Sequence, residues 1–365
     1  MSSSPLPQEP ERASGVLPSQ AIRAAVADGV IRADAGIGED QIQPASLDLR
    51  LGEVAYRVRA SFLPGPNATV AEKLVEHVLY TVDLTDGAVL EQDCVYIVPL
   101  LERLSLRRRC SALANPKSST GRLDVFCRVI TDRGAEFDQV REAYDGPLFV
   151  EIAPRSFPIR VRTGSRLTQI RLRRGLPTGS DATADVAKGG SRIAFTVDMA
   201  GHGEGDLVGY KARTGAGLVD VDLVGHYDPA EFWEPVLSRR SGIILNPNDF
   251  YILASKEAVS VPADLAAEML AYDTLVGEFR VHYAGFFDPG FGHSSGHGEG
   301  ARAVLEVRSH EVPFILEDGQ IIGRLVYEPL TEAPERVYGQ GIGSNYQRQG
   351  LKLSKHFKAF DPLSR

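Results

Sequence analysis

The stretch LFVEIAPRSFPIRVRTGSRLTQI, residues 148–170, returns as AVLEVRSHEVPFILEDGQIIGRL, residues 303–325. Glu151 falls on Glu306, Pro158 on Pro313 and Gly164 on Gly319, all at one offset of 155 residues. Tyr96-Ile97 falls on Tyr251-Ile252 at the same offset. Each copy reads as short apolar strand-like runs broken by Gly and Pro turns, so the chain holds one β unit twice.

Outward from the repeat, the pattern stays β. Ser46-Leu47-Asp48-Leu49-Arg50-Leu51 alternates polar and apolar residues, and further strands are expected at 95–100, 126–131, 148–152, 159–162 and 167–172. One short helix is expected after Ser19, with Ser19 as its cap and Ala21, Ile22, Ala25 and Val26 as its apolar face. The fold class is mainly β, a closed or sandwiched sheet in each copy with few short helices. Residues 1–14 are expected to be disordered, 15–174 to form the first unit, 175–191 a linker rich in Gly, Ser, Thr, Ala and Asp, and 192–337 the second unit. The polar, Gly-containing tail 338–365 suits a flap that closes over a ligand, or a segment fixed on a neighbouring subunit. The stretches 52–88 and 201–217 carry no functional reading.

At 365 residues the chain is long enough for two such units, and 43% hydrophobic with 24% charged residues is ordinary for a globular protein. A net charge of −8 argues against a broad nucleic-acid surface but allows a small phosphorylated ligand held by a few local cations. No apolar run approaches the ~18 residues of a membrane span, and MSSSPLPQEPERASG lacks a signal peptide's apolar stretch. Cys94, Cys110 and Cys127 are odd in number and unpaired in spacing, which fits a reducing cytoplasm.

The copies keep different polar residues. Only the first has Lys117-Ser118-Ser119-Thr120-Gly121-Arg122, where small hydroxyl residues, backbone N–H groups and two cations suit a phosphate. The GxxxxGK[ST] spacing of a Walker loop is missing, and the alternative is a turn that caps a helix starting near Ser118. Only the second has Phe287-Asp288-Pro289-Gly290, either a sugar ligand on a hairpin or a plain turn. Glu151 and Glu306 each interrupt an apolar run. A carboxyl there is either a desolvated proton shuttle or half of a cross-strand ion pair with an arginine. His293, His297 and Glu299 lie in a Gly-rich loop that would hold a metal poorly. A zinc deaminase needs H-x-E followed by P-C-x-x-C; no C-x-x-C exists, and His202-Gly203-Glu204 stands alone.

Together these segments resemble the dCTP deaminase branch of the dUTPase-like superfamily in a long, duplicated form. The segments that carry the resemblance are Gly15-Val16-Leu17-Pro18, QIQPASLDLRLG at 41–52, Ser118-Ser119-Thr120-Gly121-Arg122, Gly164-Ser165-Arg166-Leu167-Thr168-Gln169, Asp288-Pro289-Gly290 and YQRQGLKLS at 346–354. The resemblance implies two tandem dUTPase-like β-barrel or distorted jelly-roll domains and a homo-oligomer with sites between subunits. It implies zinc-free hydrolysis of dCTP to dUTP and ammonia, with Mg²⁺ carried on the triphosphate. Carried over by motif, Lys117, Ser118 and Ser119 would bind phosphates and Arg122 would orient base and water. Asp288 would bind deoxyribose, Glu151 and Glu306 both match the catalytic Glu, and backbone near Ala284 would help hold water and base. Gln169 falls in another family motif, and Tyr346, Gln349 and Lys352 in the closing tail.

The first copy's hairpin, at 131–138, has no Asp-Pro-Gly, and the second copy's counterpart of the phosphate loop, Tyr272-Asp273-Thr274-Leu275-Val276-Gly277, has no cation. A composite site is therefore expected: phosphate loop from the first copy, hairpin and base from the second. That favours Glu306 over Glu151 as the shuttle. Rival readings are a bifunctional enzyme that takes dCTP to dUMP, and a nucleotide sensor without activity.

Overall fold

A computed structural model describes residues 13–175, 192–201, 206–239, 242–270, 279–281, 285–292, 300–309, 312–339 and 350–359. Its strands repeat as the sequence does. In the first copy Val95–Ser105 lies between Val54–Val58 and Asp145–Pro154, and the latter pairs onward with Val125–Thr131. In the second copy Phe250–Val259 lies between Leu207–Ala212 and Ala301–Ser309, which pairs onward with Phe279–Val281. Register is kept to the residue: Glu151 stands opposite Ile97 and Glu306 opposite Ile252.

A second sheet packs behind the first in each copy. Thr168–Arg174 pairs with Cys110–Pro116 and Leu47–Leu49; Ile321–Pro329 pairs with Leu265–Leu270 and Arg192–Thr196. Small ribbons close the ends, Ala88–Leu90 with Ile159–Val161 and Ile243–Leu245 with Phe314–Leu316. The turn that follows each ribbon holds Gly164 or Gly319 at φ 87° and 76°, a left-handed backbone open to glycine at little cost. Inward residues of these strands fill the cores: Tyr96, Val98, Val150 and Ile152 in one copy, Leu253, Ala303, Leu305 and Leu325 in the other.

The copies are joined by more than a linker. Val219–Asp220, from the second unit of the sequence, adds in parallel to Ile159–Val161 of the first. Arg162 then pairs with Asp220 and Asp222 at 2.6 and 2.5 Å. Phe157 meets Phe232 and Trp233 edge-on at 5.5 and 5.4 Å, and Phe357 of the tail meets Trp233 at 5.8 Å.

The mainly β class holds. The expected helix runs Ser19–Ala27, but Pro18 takes the capping position, and Ser19, already inside the helix, has a buried hydroxyl with no hydrogen-bond partner among the described residues. Ser19 is therefore not the cap. Strands run longer than their apolar signal, 95–100 becoming Val95–Ser105 and 148–152 becoming Asp145–Pro154, because backbone pairing continues through polar residues. The stretch 52–88 holds a helix, Val70–His77, which starts on a reciprocal capping box of Thr69 and Glu72. Among the described residues no helix is long and apolar enough to cross a membrane.

Candidate active site

The strand Cys110–Pro116 ends beside the start of Thr168–Arg174, and there the chain turns. Lys117 N–H and Thr120 Oγ1 both donate to Leu167 O, at 2.9 and 2.8 Å, which pins the four-residue helix Ser118–Gly121 to the sheet. The turn and helix start near Ser118, offered by the sequence as the alternative to a phosphate site, are thus present, with Lys117 in the capping position. Ser119 and Arg122 are buried and Ser118 is half-buried. Lys117 is ion-paired with Asp48, which sits across from Gln169 in the sheet. Gln169 stands opposite Asn115 on its other side and accepts a hydrogen bond from Ser46 Oγ at 3.2 Å. Among the described residues, Asp48 Oδ1 and Asn115 Oδ1 are buried acceptors beside the loop with no hydrogen-bond partner.

The second copy reaches this loop. Glu306 Oε1 lies 3.8 Å from Arg122 Nε, with the side chains only 5% and 4% exposed. Burial pushes the Glu306 carboxyl up to about 8, with the Arg122 guanidinium pulling the other way. The charge contact is too long for a hydrogen bond, so the acid keeps a proton near neutrality yet sits beside a cation able to stabilise its anion.

Asp288 arrives from the same side. Its turn needs Gly290, at φ 87°, where a Cβ would come within 2.8 Å of Val337 Cβ. Arg171 of the first copy, fully buried, holds this turn: Nη1 donates to Ala267 O at 3.1 Å, and Nη2 reaches Phe287 O and Asp288 Oδ1 at 3.4 Å. Its guanidinium also lies 4.0 Å from the centre of the Phe286 ring. Burial raises the Asp288 carboxyl, opposed by Arg171; the charges of Asp48 and Lys117 also act on it, so Asp288 belongs to the same neighbourhood.

The tail passes over the loop. Lys352 O accepts from Arg122 Nη1 at 2.9 Å, and Ser354 Oγ donates to Ser119 O at 2.7 Å. His356 is hydrogen-bonded to Ser354 Oγ and Val221 O; burial lowers its pKa to about 4, so it is neutral at physiological pH. The Lys352 ammonium is lowered by partial burial and by Arg122.

Glu151 is elsewhere. Its carboxylate is buried and ion-paired with Arg128 on the neighbouring strand, Arg128 Nε donating to Glu151 Oε1 at 3.0 Å. Arg128 in turn lies over the Phe137 ring at 3.9 Å. Glu151 therefore makes the cross-strand ion pair that the sequence offered as one alternative.

Of the residues expected at a site, Lys117, Ser118, Ser119, Arg122, Gln169, Asp288, Glu306 and the Lys352 backbone come together, and Glu151 stands apart. Ala284, Tyr346, Gln349, His293, His297, Glu299 and His202-Gly203-Glu204 lie outside the described residues. Sequence reasoning missed Asp48, Arg171, Asp124 and Arg308. The polar break in Leu47-Asp48-Leu49 was a signal for Asp48, which is 2% exposed; the arginines had none, since their partners are remote in sequence.

Comparison with known proteins points the same way. A family model described as 2'-deoxycytidine 5'-triphosphate deaminase (DCD) N-terminal domain matches residues 13–176, and the C-terminal-domain model of the same description matches residues 164–357. A crystal structure of 2'-deoxycytidine 5'-triphosphate deaminase from Agrobacterium tumefaciens is 55% identical and superposes with a TM-score of 0.81, covering 87% of this chain and all of that one. A protein of Halobacterium salinarum named "dCTP deaminase, dUMP-forming" is 37% identical over 120 residues, 32% of this chain and 57% of its own length. One of the same name from Pseudarthrobacter chlorophenolicus is 34% identical over 142 residues, 36% of this chain and 70% of its own.

Proposed function

Since the chain belongs to the 2'-deoxycytidine 5'-triphosphate deaminase family, we propose that it hydrolyses the 4-amino group of dCTP at one site per chain, assembled from both copies. The observation that carries this reading is the approach of Glu306, from the second copy, to Arg122 at the end of the first copy's phosphate loop.

In this reading the triphosphate lies against Lys117, Ser118 and Ser119, whose hydroxyls, N–H groups and ammonium answer its oxygens. Mg²⁺ carried on the triphosphate would neutralise part of its charge, and Asp48, ion-paired with Lys117 beside the loop, would be the carboxylate that meets its water shell. Asp288 accepts from the deoxyribose hydroxyl. Glu306 takes one proton from the water attacking C4 and passes it to ring N3, then takes the second from the hydroxyl left on C4 and passes it to the departing amine. A carboxyl poised at about 8 can do both near neutral pH. Arg122 stabilises the carboxylate form and orients the base. The backbone near Ala284 shares in holding water, and Gln169, Tyr346, Gln349 and Lys352 complete the enclosure. The chain lacks the Cys and His signature of zinc deaminases, which supports a zinc-free reaction. A homo-oligomer and a cytoplasmic location belong to the same reading.

A second reading differs in product. The shorter relatives are named dUMP-forming, which supports removal of pyrophosphate after deamination. One assay decides. Purified protein stripped of zinc is given dCTP and Mg²⁺, and ammonia and pyrophosphate are followed together. Ammonia alone means dUTP is the product, and ammonia with pyrophosphate means dUMP. Binding of dCTP with neither product refutes the enzyme and leaves a nucleotide sensor.

A further inference from the structure

Two residues beyond each member of the Arg122–Glu306 pair stands a residue of the opposite charge. Arg308 follows Glu306 on the strand Ala301–Ser309, and the two-residue period puts both on one face. Asp124 follows Arg122 in the turn that leads into Val125–Thr131. Arg308 Nη2 donates to Asp124 Oδ2, so the boundary between the copies carries acid to base at one position and base to acid at the next.

The second pair is built with care. Asp124 is fully buried and Arg308 only 4% exposed. Ser156 Oγ donates to Asp124 Oδ2 at 2.6 Å and lies 3.4 Å from Arg308 Nη2, while Arg308 Nη1 donates to Asn248 O. Asp124 holds φ at 58°, in the left-handed region, fixed by its N–H on Gly121 O at 2.8 Å and by Arg155 N–H on its own carbonyl at 2.9 Å. The turn that carries Arg122 is thus tied on both sides.

A buried ion pair is a poor source of stability, because desolvating two charges offsets most of their attraction. What it supplies is geometry. At the matching positions of the other copies, one offset away, stand Phe279 and Ala153, so the charged pair is confined to the boundary that holds the phosphate loop.

We propose that Asp124 and Arg308 are positioning residues: their ion pair fixes the register of the strand against the loop and so holds Glu306 beside Arg122. The inference rests on Glu306 as the proton shuttle. A misplacement of ~1 Å is enough to lower a rate about 100-fold, and loss of the pair frees the strand to shift by that much.

The test uses the full chain and the variants Asp124→Asn, Arg308→Lys and Glu306→Gln. It measures kcat and KM for ammonia release from dCTP, the pH profile of kcat and the melting temperature. Asp124→Asn and Arg308→Lys are expected to lower kcat by about 100-fold while KM stays within about threefold, since Lys117, Ser118 and Ser119 are untouched. The acid limb of kcat is expected to move to higher pH, because a looser Glu306 loses the pull of Arg122. Should Asp124→Asn fail to fold, Arg308→Lys, which keeps the charge, carries the test. A folded variant with kcat within about twofold of the parent and an unmoved acid limb overturns the proposal, as does a loss of rate that only follows the fraction unfolded. An active Glu306→Gln refutes the shuttle itself; an inactive Glu306→Gln beside unaffected positioning variants refutes the positioning role alone.

Discussion

Glu306 and Glu151 occupy one position of one repeated strand, opposite matching isoleucines and equally buried, yet they have different neighbours. Glu151 is gripped by Arg128 from the next strand of its own sheet. Glu306 meets its arginine across the boundary between copies, at 3.8 Å, and its carboxyl is pushed up to about 8. The difference teaches that burial alone does not fix what a carboxyl can do; its partners decide. An arginine hydrogen-bonded to a buried carboxylate turns it into a strut, and one that stands 3.8 Å away leaves the carboxyl raised by burial.

The largest expected contrast is in rate. Glu306→Gln should lower ammonia release from dCTP by about 10²–10⁴-fold while dCTP binding, measured by calorimetry, stays within a few-fold; Glu151→Gln should stay within about threefold of the parent. Comparable losses in both variants would erase the distinction between the two glutamates.

Stability should separate them as well. Between about pH 4.5 and 8 the native Glu306 keeps a proton that the unfolded chain has released, so its contribution to stability falls as pH rises through that window. Glu306→Gln removes this penalty, and its melting temperature should rise above the parent's by an amount that grows from pH 5 to pH 8. The gain amounts to a few kcal/mol at about 1.4 kcal/mol per pH unit. A gap that shrinks with pH would contradict the assignment.

Substrate affinity gives a smaller effect. Lys117→Met should raise KM for dCTP about tenfold with kcat little changed, which steady-state kinetics at fixed ionic strength would show. Glu151→Gln should give the smallest change, a loss of about 1 kcal/mol in urea unfolding, since Arg128 at 36% side-chain exposure keeps much of its hydration. A gain in stability there would mean that the Glu151 pair is no strut.

The repeat made most of the fold legible, because alternation and turn glycines act locally and the offset of 155 residues carries one copy's register to the other. The loop 117–122 and the Asp288 turn were legible for a related reason: each sits inside a short motif kept in only one copy, whereas Glu306 shares its motif with Glu151 and was favoured only through its place beside that turn. What escaped were partners. Arg171 and Asp288 are 117 residues apart, and Asp124 and Arg308 are 184 apart, so no local pattern joins them. The helix Val70–His77 did carry a signal, Thr69 with Glu72 three residues on, passed over in a stretch without repeat. Ser19 misled because a hydroxyl residue next to Pro18 looks like a cap, while Pro18 has already taken that position.

The composite site is the central claim, and a crystal structure of Glu306→Gln with dCTP and Mg²⁺ tests it most directly. The account expects the triphosphate on Ser118 and Ser119 of the first copy and the 4-amino group of the base within reach of residue 306 of the second. A cytosine ring seated beside Glu151 and Arg128, or a nucleotide bound wholly within one copy, would contradict it.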